Sequence, residues 1–186
     1  MVKTNINLFA EGEVVYTDGG VLAEFAWVLV VLPFIAALII TFAGKSLPLK
    51  GAEIALGTIG IIFIYSLSLM YLHVTEGVAN EFFINVGNIG QFDIEFGWVV
   101  DGLSIMMYFV VGLVALLVFI YATNYMEGEI RYTFFFTSLT LFAGSMLVLV
   151  SSPTLIQILI GWELVGVCSY LLIGHYWEVK DNSSAA

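Results

Sequence analysis

Glu163 is the residue whose type and position most strongly suggest chemistry. It lies in the apolar run Pro153–Trp177, which reads as a membrane-spanning helix. Counted from Pro153 it is the eleventh residue, about 15 Å along a helix that rises 1.5 Å per residue. That is about half of a hydrocarbon core roughly 30 Å thick. A carboxylate at that depth costs about 2.5–3.5 kcal/mol on insertion scales, and an ionisable group there points to a proton or cation site. The competing reading is a protonated, hydrogen-bonded packing residue. On a 3.6-residue wheel Glu163, Gly166 and Tyr170 share a face, with Gln157 nearby one and a half turns earlier. Gly166 would let another helix come close to the carboxylate, as small residues do in membrane interfaces. Ser152 as N-cap and Pro153 at the first helical position would start this helix.

Other polar residues admit two readings each. Thr133, Thr137, Thr140 and Gly144 recur at i, i+4, i+7 and i+11, which suits helix packing through small residues and weak hydrogen bonds or, alternatively, a wetted proton route. Ser104, Tyr108, Gly112 and Ala115 form a comparable stripe. Asp101 falls in the first turn of its helix, where the helix N-terminus favours an acid. His73 and His175 stand at helix ends without a second ligand at metal spacing. Glu127 and Glu129 accompany Arg131 as a solvated cluster. The sequence offers no phosphate-cradling glycine loop, no cysteine or histidine cluster and no nucleophile–base pair. We therefore expect no flavin, iron–sulfur cluster, nucleotide or metal to be held by this chain.

A partner for Glu163 is harder to find. All five basic residues fall outside the expected spans. Either burial keeps Glu163 neutral or its partner comes from other sequence.

The elements that must position these residues follow from composition. Of 186 residues, 61% are hydrophobic and 11% charged, far from the roughly 25% charged of a soluble domain. The fold class expected is an all-α polytopic membrane protein with about five spans, at 23–43, 52–72, 98–122, 132–150 and 153–177. Residues 1–22 form an external acidic segment and 23–186 a single transmembrane domain. Pro33 should kink the first span. With acids ahead of the first apolar run there is no cationic leader, so that run is expected to remain as a helix. In the linker 75–97, the alternation Phe92-Asp93-Ile94-Glu95-Phe96 after Gly87-Asn88-Ile89-Gly90 suggests a short hairpin. Lys45, Lys50, Arg131 and Lys180 fall on one side of five spans and Lys3 on the other, which places the N-terminus outside and the C-terminus in the cytoplasm. A net charge of −10 argues against nucleic acid as a partner. One cysteine, Cys168, precludes an internal disulfide.

The run Gly161-Trp162-Glu163-Leu164-Val165-Gly166-Val167-Cys168-Ser169-Tyr170-Leu171-Leu172-Ile173-Gly174 resembles the signature helix of subunit L of bacterial NADH–quinone oxidoreductase, the counterpart of complex I subunit 5. Asp101-Gly102-Leu103-Ser104, Tyr125-Met126 with Gly128-Glu129, Phe135-Phe136 and Leu32-Pro33-Phe34 extend the likeness over most of residues 23–178. The resemblance implies an antiporter-like, proton-translocating membrane-arm subunit in a bacterial inner membrane. It would couple quinone reduction to proton pumping inside an enzyme complex whose NADH, flavin, iron–sulfur and quinone sites lie on other subunits. It implies that the glutamate matching Glu163 faces a lysine on a later broken helix, and that the chain is an N-terminal portion, truncated relative to the family. Tyr170, Thr137 and Asp101 are supporting candidates. Rival readings are a subunit of a multisubunit sodium/proton antiporter or ion-coupled bicarbonate-uptake complex, and a truncated, non-transporting membrane scaffold.

Overall fold

The computed structural model describes residues 17–18, 20–89 and 92–176, with side chains from 21 to 87 and 95 to 176. Lys3, Glu11 and Glu13, the turn residue Gly90, and the end of the chain from Trp177 through Lys180 lie outside them. Among the described residues five helices are long and apolar enough to cross a membrane. The protein is a multi-pass membrane protein.

A short strand β1 (Thr17–Asp18) and helix α1 (Gly20–Glu24) lead into α2 (Trp27–Ala43). The expected first span is thus divided. Around Phe25–Ala26 the backbone makes tighter i→i−3 bonds, Ala26 N–H to Ala23 O and Val28 N–H to Phe25 O, which interrupt the helical ladder. Pro33 lies inside α2 and is buried. A 3-10 turn at Gly44–Ser46 leads to α3 (Ala52–Glu76), longer by a turn than expected. α3 ends on Gly77 at φ 66°, whose N–H bonds His73 O. Glycine suits that left-handed position.

β2 (Val78–Ile89) and β3 (Phe92–Val100) then form an antiparallel hairpin, and β1 adds two parallel pairs on β2. The hairpin is longer than the alternation at 92–96 suggested. Trp98, Val99 and Val100, expected to open a helix, complete β3 opposite Phe82, Glu81 and Asn80. The ring of Trp98 stacks on Phe82 at 4.4 Å. An aromatic followed by two valines suits a strand as well as a membrane helix. Asp101 ends the strand and caps α4 (Gly102–Tyr125) in a capping box. Its carboxylate accepts from Ser104 N–H at 2.7 Å, and Ser104 Oγ accepts from Asp101 N–H at 2.8 Å. α5 (Tyr132–Ser151) and α6 (Leu155–Ile173) follow, the latter ending in a 3-10 turn at Gly174–Tyr176.

α5 is the central helix. It packs on α2 along one side and α6 along the other and also meets α4, while α3 packs on α4 and α2. Of its most apolar stretch 44% is buried, against 17% for α6. Small residues let these helices approach. A Cβ on Gly144 would stand 3.0 Å from Pro33 Cβ, and one on Gly112 would stand 3.2 Å from Phe63 Cα.

Candidate functional site at the middle of the last helix

α6 begins later than Ser152 and Pro153 suggested. Ser152 closes α5, its hydroxyl donating to Val148 O. Thr154 is the N-cap, in extended backbone, and its Oγ1 accepts from Gln157 N–H at 3.4 Å. Pro153 falls in the bend between the two helices, where its lack of an N–H costs nothing. Glu163 is the ninth of nineteen residues, about 12 Å from the helix start. Its mid-span depth therefore holds with the corrected boundary.

One narrow face of α6 carries its packing. Gln157, Gly161 and Cys168 are the buried residues. A Cβ on Gly161 would lie 2.9 Å from Leu149 Cα and 3.0 Å from Leu149 N, so α5 and α6 meet there backbone to backbone. Further along, Cys168 Sγ lies 3.8 Å from Ser145 Oγ. At about 100° per residue, Glu163, Gly166 and Tyr170 point away from this seam. Tyr170 is 57% exposed, Trp162 65%, and Glu163 is exposed as well. A Cβ on Gly166 would meet nothing within 4 Å. No hydrogen bond or ion pair links Glu163 to another described residue. Gln157, placed near Glu163 by the sequence reading, turns instead to the opposite side and is buried against β3. The wheel explains this, since six residues rotate the helix by about 240°.

That burial completes the hairpin. β3 is an edge strand, so alternate residues direct their N–H and C=O away from β2, and such groups need partners where water is excluded. Three successive outward carbonyls find them on helices. Thr154 Oγ1 donates to Glu95 O at 3.1 Å, Gln157 Nε2 donates to Gly97 O at 2.8 Å, and the buried Tyr108 hydroxyl donates to Val99 O at 2.9 Å. Gln157 Oε1 also accepts Gly97 N–H at 2.9 Å. Leaving such a buried group unsatisfied costs about 1–3 kcal/mol. These ties span up to sixty residues of sequence. The only hint of them in sequence is an amide and a hydroxyl near the start of an otherwise apolar helix.

The remaining candidates are dispersed. Thr137 Oγ1 donates to Thr133 O at 3.0 Å, Thr140 to Phe136 O at 2.7 Å and Thr133 to Lys50 O at 3.0 Å. These hydroxyls are committed to backbone carbonyls, and Thr137 stands on α5 rather than on the open face with Glu163. Asp101 serves as the α4 cap at the hairpin end. There, burial on the hairpin and then the Asp101 charge push the Glu81 carboxyl above its ordinary value of 4.5. At the opposite end Arg131 Nη1 donates to His175 O at 2.8 Å, tying the end of α6 to the start of α5. Among the described residues no three His, Cys, Asp or Glu side chains group to hold a metal.

With this geometry in place, residues 87–136 match the family described as NADH-Ubiquinone oxidoreductase (complex I), chain 5 N-terminus. That stretch is similar to the N-terminal region of complex I chain 5. The chain is 36% identical over 170 residues to NAD(P)H-quinone oxidoreductase subunit 5 of the Paulinella chromatophora chromatophore, covering 88% of this chain and 26% of the relative. Identity is 37% over 172 residues to chain 5 of Picosynechococcus sp. and 38% over 170 residues to the chloroplastic subunit 5 of Chlorokybus atmophyticus, with the same coverage. The chain thus spans about a quarter of the length of these subunit 5 relatives. In fold it is similar to a chain of the membrane-bound sulfane sulfur reductase, an archaeal respiratory membrane complex, at TM-score 0.71 and 12% identity over 87% of this chain and 32% of that one.

Proposed function

We propose that the chain supplies the first helices of a proton-translocating, subunit 5-type membrane-arm subunit of an NADH–quinone oxidoreductase, and that Glu163 is its proton-carrying carboxylate. The observation that carries this reading is the placement of Glu163. It lies at mid-span, turned away from the seam that packs α6, on a face kept low by Gly166 and flanked by Tyr170. A carboxylate serving only to pack α6 would sit in the seam with Gln157 and Cys168. One facing a further helix would be left open by these five helices. An intramembrane acid in that setting pairs with a cation or cycles a proton. The relatives named above are subunits of NAD(P)H-quinone oxidoreductases, which supports a nicotinamide electron donor and a quinone acceptor.

The cation would come from another helix of the subunit, a lysine facing the open side of α6. Redox cofactors would reside on other subunits of the complex, which are also the partners of this one. The membrane would be a bacterial inner membrane, with the Lys45, Lys50 and Arg131 end in the cytoplasm and the hairpin outside. The Lys45–Lys50 loop and the Arg131 loop meet at one end, where Thr133 binds Lys50 O, which supports counting their charges on one side.

In the complete complex, Glu163→Gln removes the titrating group while keeping its size. Electron transfer from NADH to quinone continues on the other subunits and the protons moved per electron pair fall. An unchanged proton yield would sink the assignment. Replacing sodium by choline leaves the yield unchanged if protons are the ion moved, and a sodium requirement would favour the antiporter reading.

A further inference from the structure

α6 is fixed to the rest of the molecule by contacts of two kinds. Along Gly161 and Leu149 they are van der Waals contacts, joined at Cys168 by a single weak sulfur hydrogen bond with Ser145 Oγ at 3.8 Å; they set how near α5 and α6 lie but resist sliding and rotation weakly. At the hairpin end they are directional hydrogen bonds, which constrain angle as well as distance. Gln157 is 6% exposed and meets Gly97 with both ends of its amide, Oε1 to N–H at 2.9 Å and Nε2 to O at 2.8 Å. A primary amide presents the donor and acceptor that a neighbouring strand would present to the edge of β3. Gly97 is required by the hairpin itself, because a Cβ there would fall 1.9 Å from Phe82 O on β2. Thr154 adds a second tie, to Glu95 O. Arg131 holds the other end of α6 through one long side chain to His175 O, beyond the last α-helical residue.

Glu163 has no tie of its own among the described residues, so its depth and azimuth are inherited from α6 as a rigid rod. Gln157 stands six residues earlier, about 9 Å along the axis. We propose that Gln157 is a positioning residue for Glu163. Its two-point amide clamp on Gly97 registers α6 against the hairpin and thereby aims the carboxylate at its partner helix. Small misplacements of a reacting group are expensive to rate, and a rotation of α6 moves Glu163 because the clamp and the carboxylate share one helix. The inference rests on reading Glu163 as the proton-carrying group.

The test uses the full-length subunit in the assembled complex, reconstituted in liposomes, with yields normalised to assembled complex. Gln157→Met keeps length and removes both hydrogen bonds. Thr154→Val removes the outer tie to Glu95 O together with the cap on Gln157 N–H, and Gln157→Asn, one methylene too short to reach both Gly97 groups, serves should Gln157→Met assemble poorly. Glu163→Gln is the reference. The readouts are protons moved per electron pair and the infrared carboxyl band that Glu163→Gln eliminates. We expect Gln157→Met to retain NADH oxidation, shift the Glu163 band and lower the proton yield toward that of Glu163→Gln, with Thr154→Val intermediate. If Glu163→Gln lowers the proton yield while assembled Gln157→Met and Thr154→Val keep a normal band and yield, the positioning role is overturned and the assignment of Glu163 stands. The same holds if Gln157→Met fails to assemble and Gln157→Asn behaves as the native chain. If Glu163→Gln itself leaves pumping intact, the assignment fails and the positioning role with it.

Discussion

Glu163 and Gly161 are two residues apart on α6 and meet opposite surroundings. Gly161 faces the α5 backbone so closely that the smallest side chain has nowhere to go, since its nearest contacts would be Leu149 Cα and N rather than a movable side chain. Gly161→Ala should therefore cost roughly 1–3 kcal/mol, as overpacking does in a filled core. It should appear as a lowered unfolding temperature of the purified protein in detergent. Gly166, with nothing near a Cβ, should tolerate alanine within these five helices, so equal losses for both substitutions would contradict the placement of the seam. At the hairpin, Glu81 carries a titration that can be read separately. Its raised value means that the folded form binds the proton more tightly than the unfolded chain. Its contribution is fully present below about 4.5, the ordinary value, and fades as pH rises through the higher folded value. The hairpin end should accordingly be more stable in mild acid. Glu81→Gln should flatten that dependence in unfolding temperature against pH. An unaltered slope would remove Glu81 as its source.

Among the elements, the hydrophobic runs were legible in sequence because each spans about twenty residues with few charges, the length and composition of a membrane-crossing helix. Boundaries were legible only where a polar residue decides them. Trp98-Val99-Val100 belongs to an uninterrupted apolar stretch, so nothing local distinguishes strand from helix until Asp101 closes its capping box with Ser104. Asp101→Ala should cost about 0.5–2 kcal/mol as the cap is lost. Because α4 also carries Tyr108, the loss should loosen the hairpin edge at Val99. Hydrogen exchange in β3 should rise in that variant, and unchanged protection would separate the cap from the hairpin. The start of α6 lies two residues later than Ser152-Pro153, itself a valid start signal, suggests. Thr154 prevails because its side chain reaches both Gln157 N–H and Glu95 O. The role of Gln157 was not legible at all, because its partner is a backbone glycine sixty residues away on a strand only partly anticipated.

At the scale of the whole molecule, the five helices divide the tasks. α5, with α2 and α4 against it, forms the packed interior, while α6 lies at the margin, held along a narrow seam and open elsewhere. Orientation can be checked separately. Single cysteines introduced near Lys45 and in the hairpin of a Cys168→Ser background should label from opposite sides of sealed inverted vesicles, the Lys45 site from the outside of the vesicle. Labelling of both from one side would overturn the five-span topology. For the carboxylate itself the decisive measurement is proton yield per electron pair in proteoliposomes containing the complete complex. With Glu163→Gln we expect NADH:quinone electron transfer to continue and the yield to drop, whereas Glu163→Asp, which keeps a carboxyl one methylene back, should retain part of it. A native yield from Glu163→Gln would contradict the account.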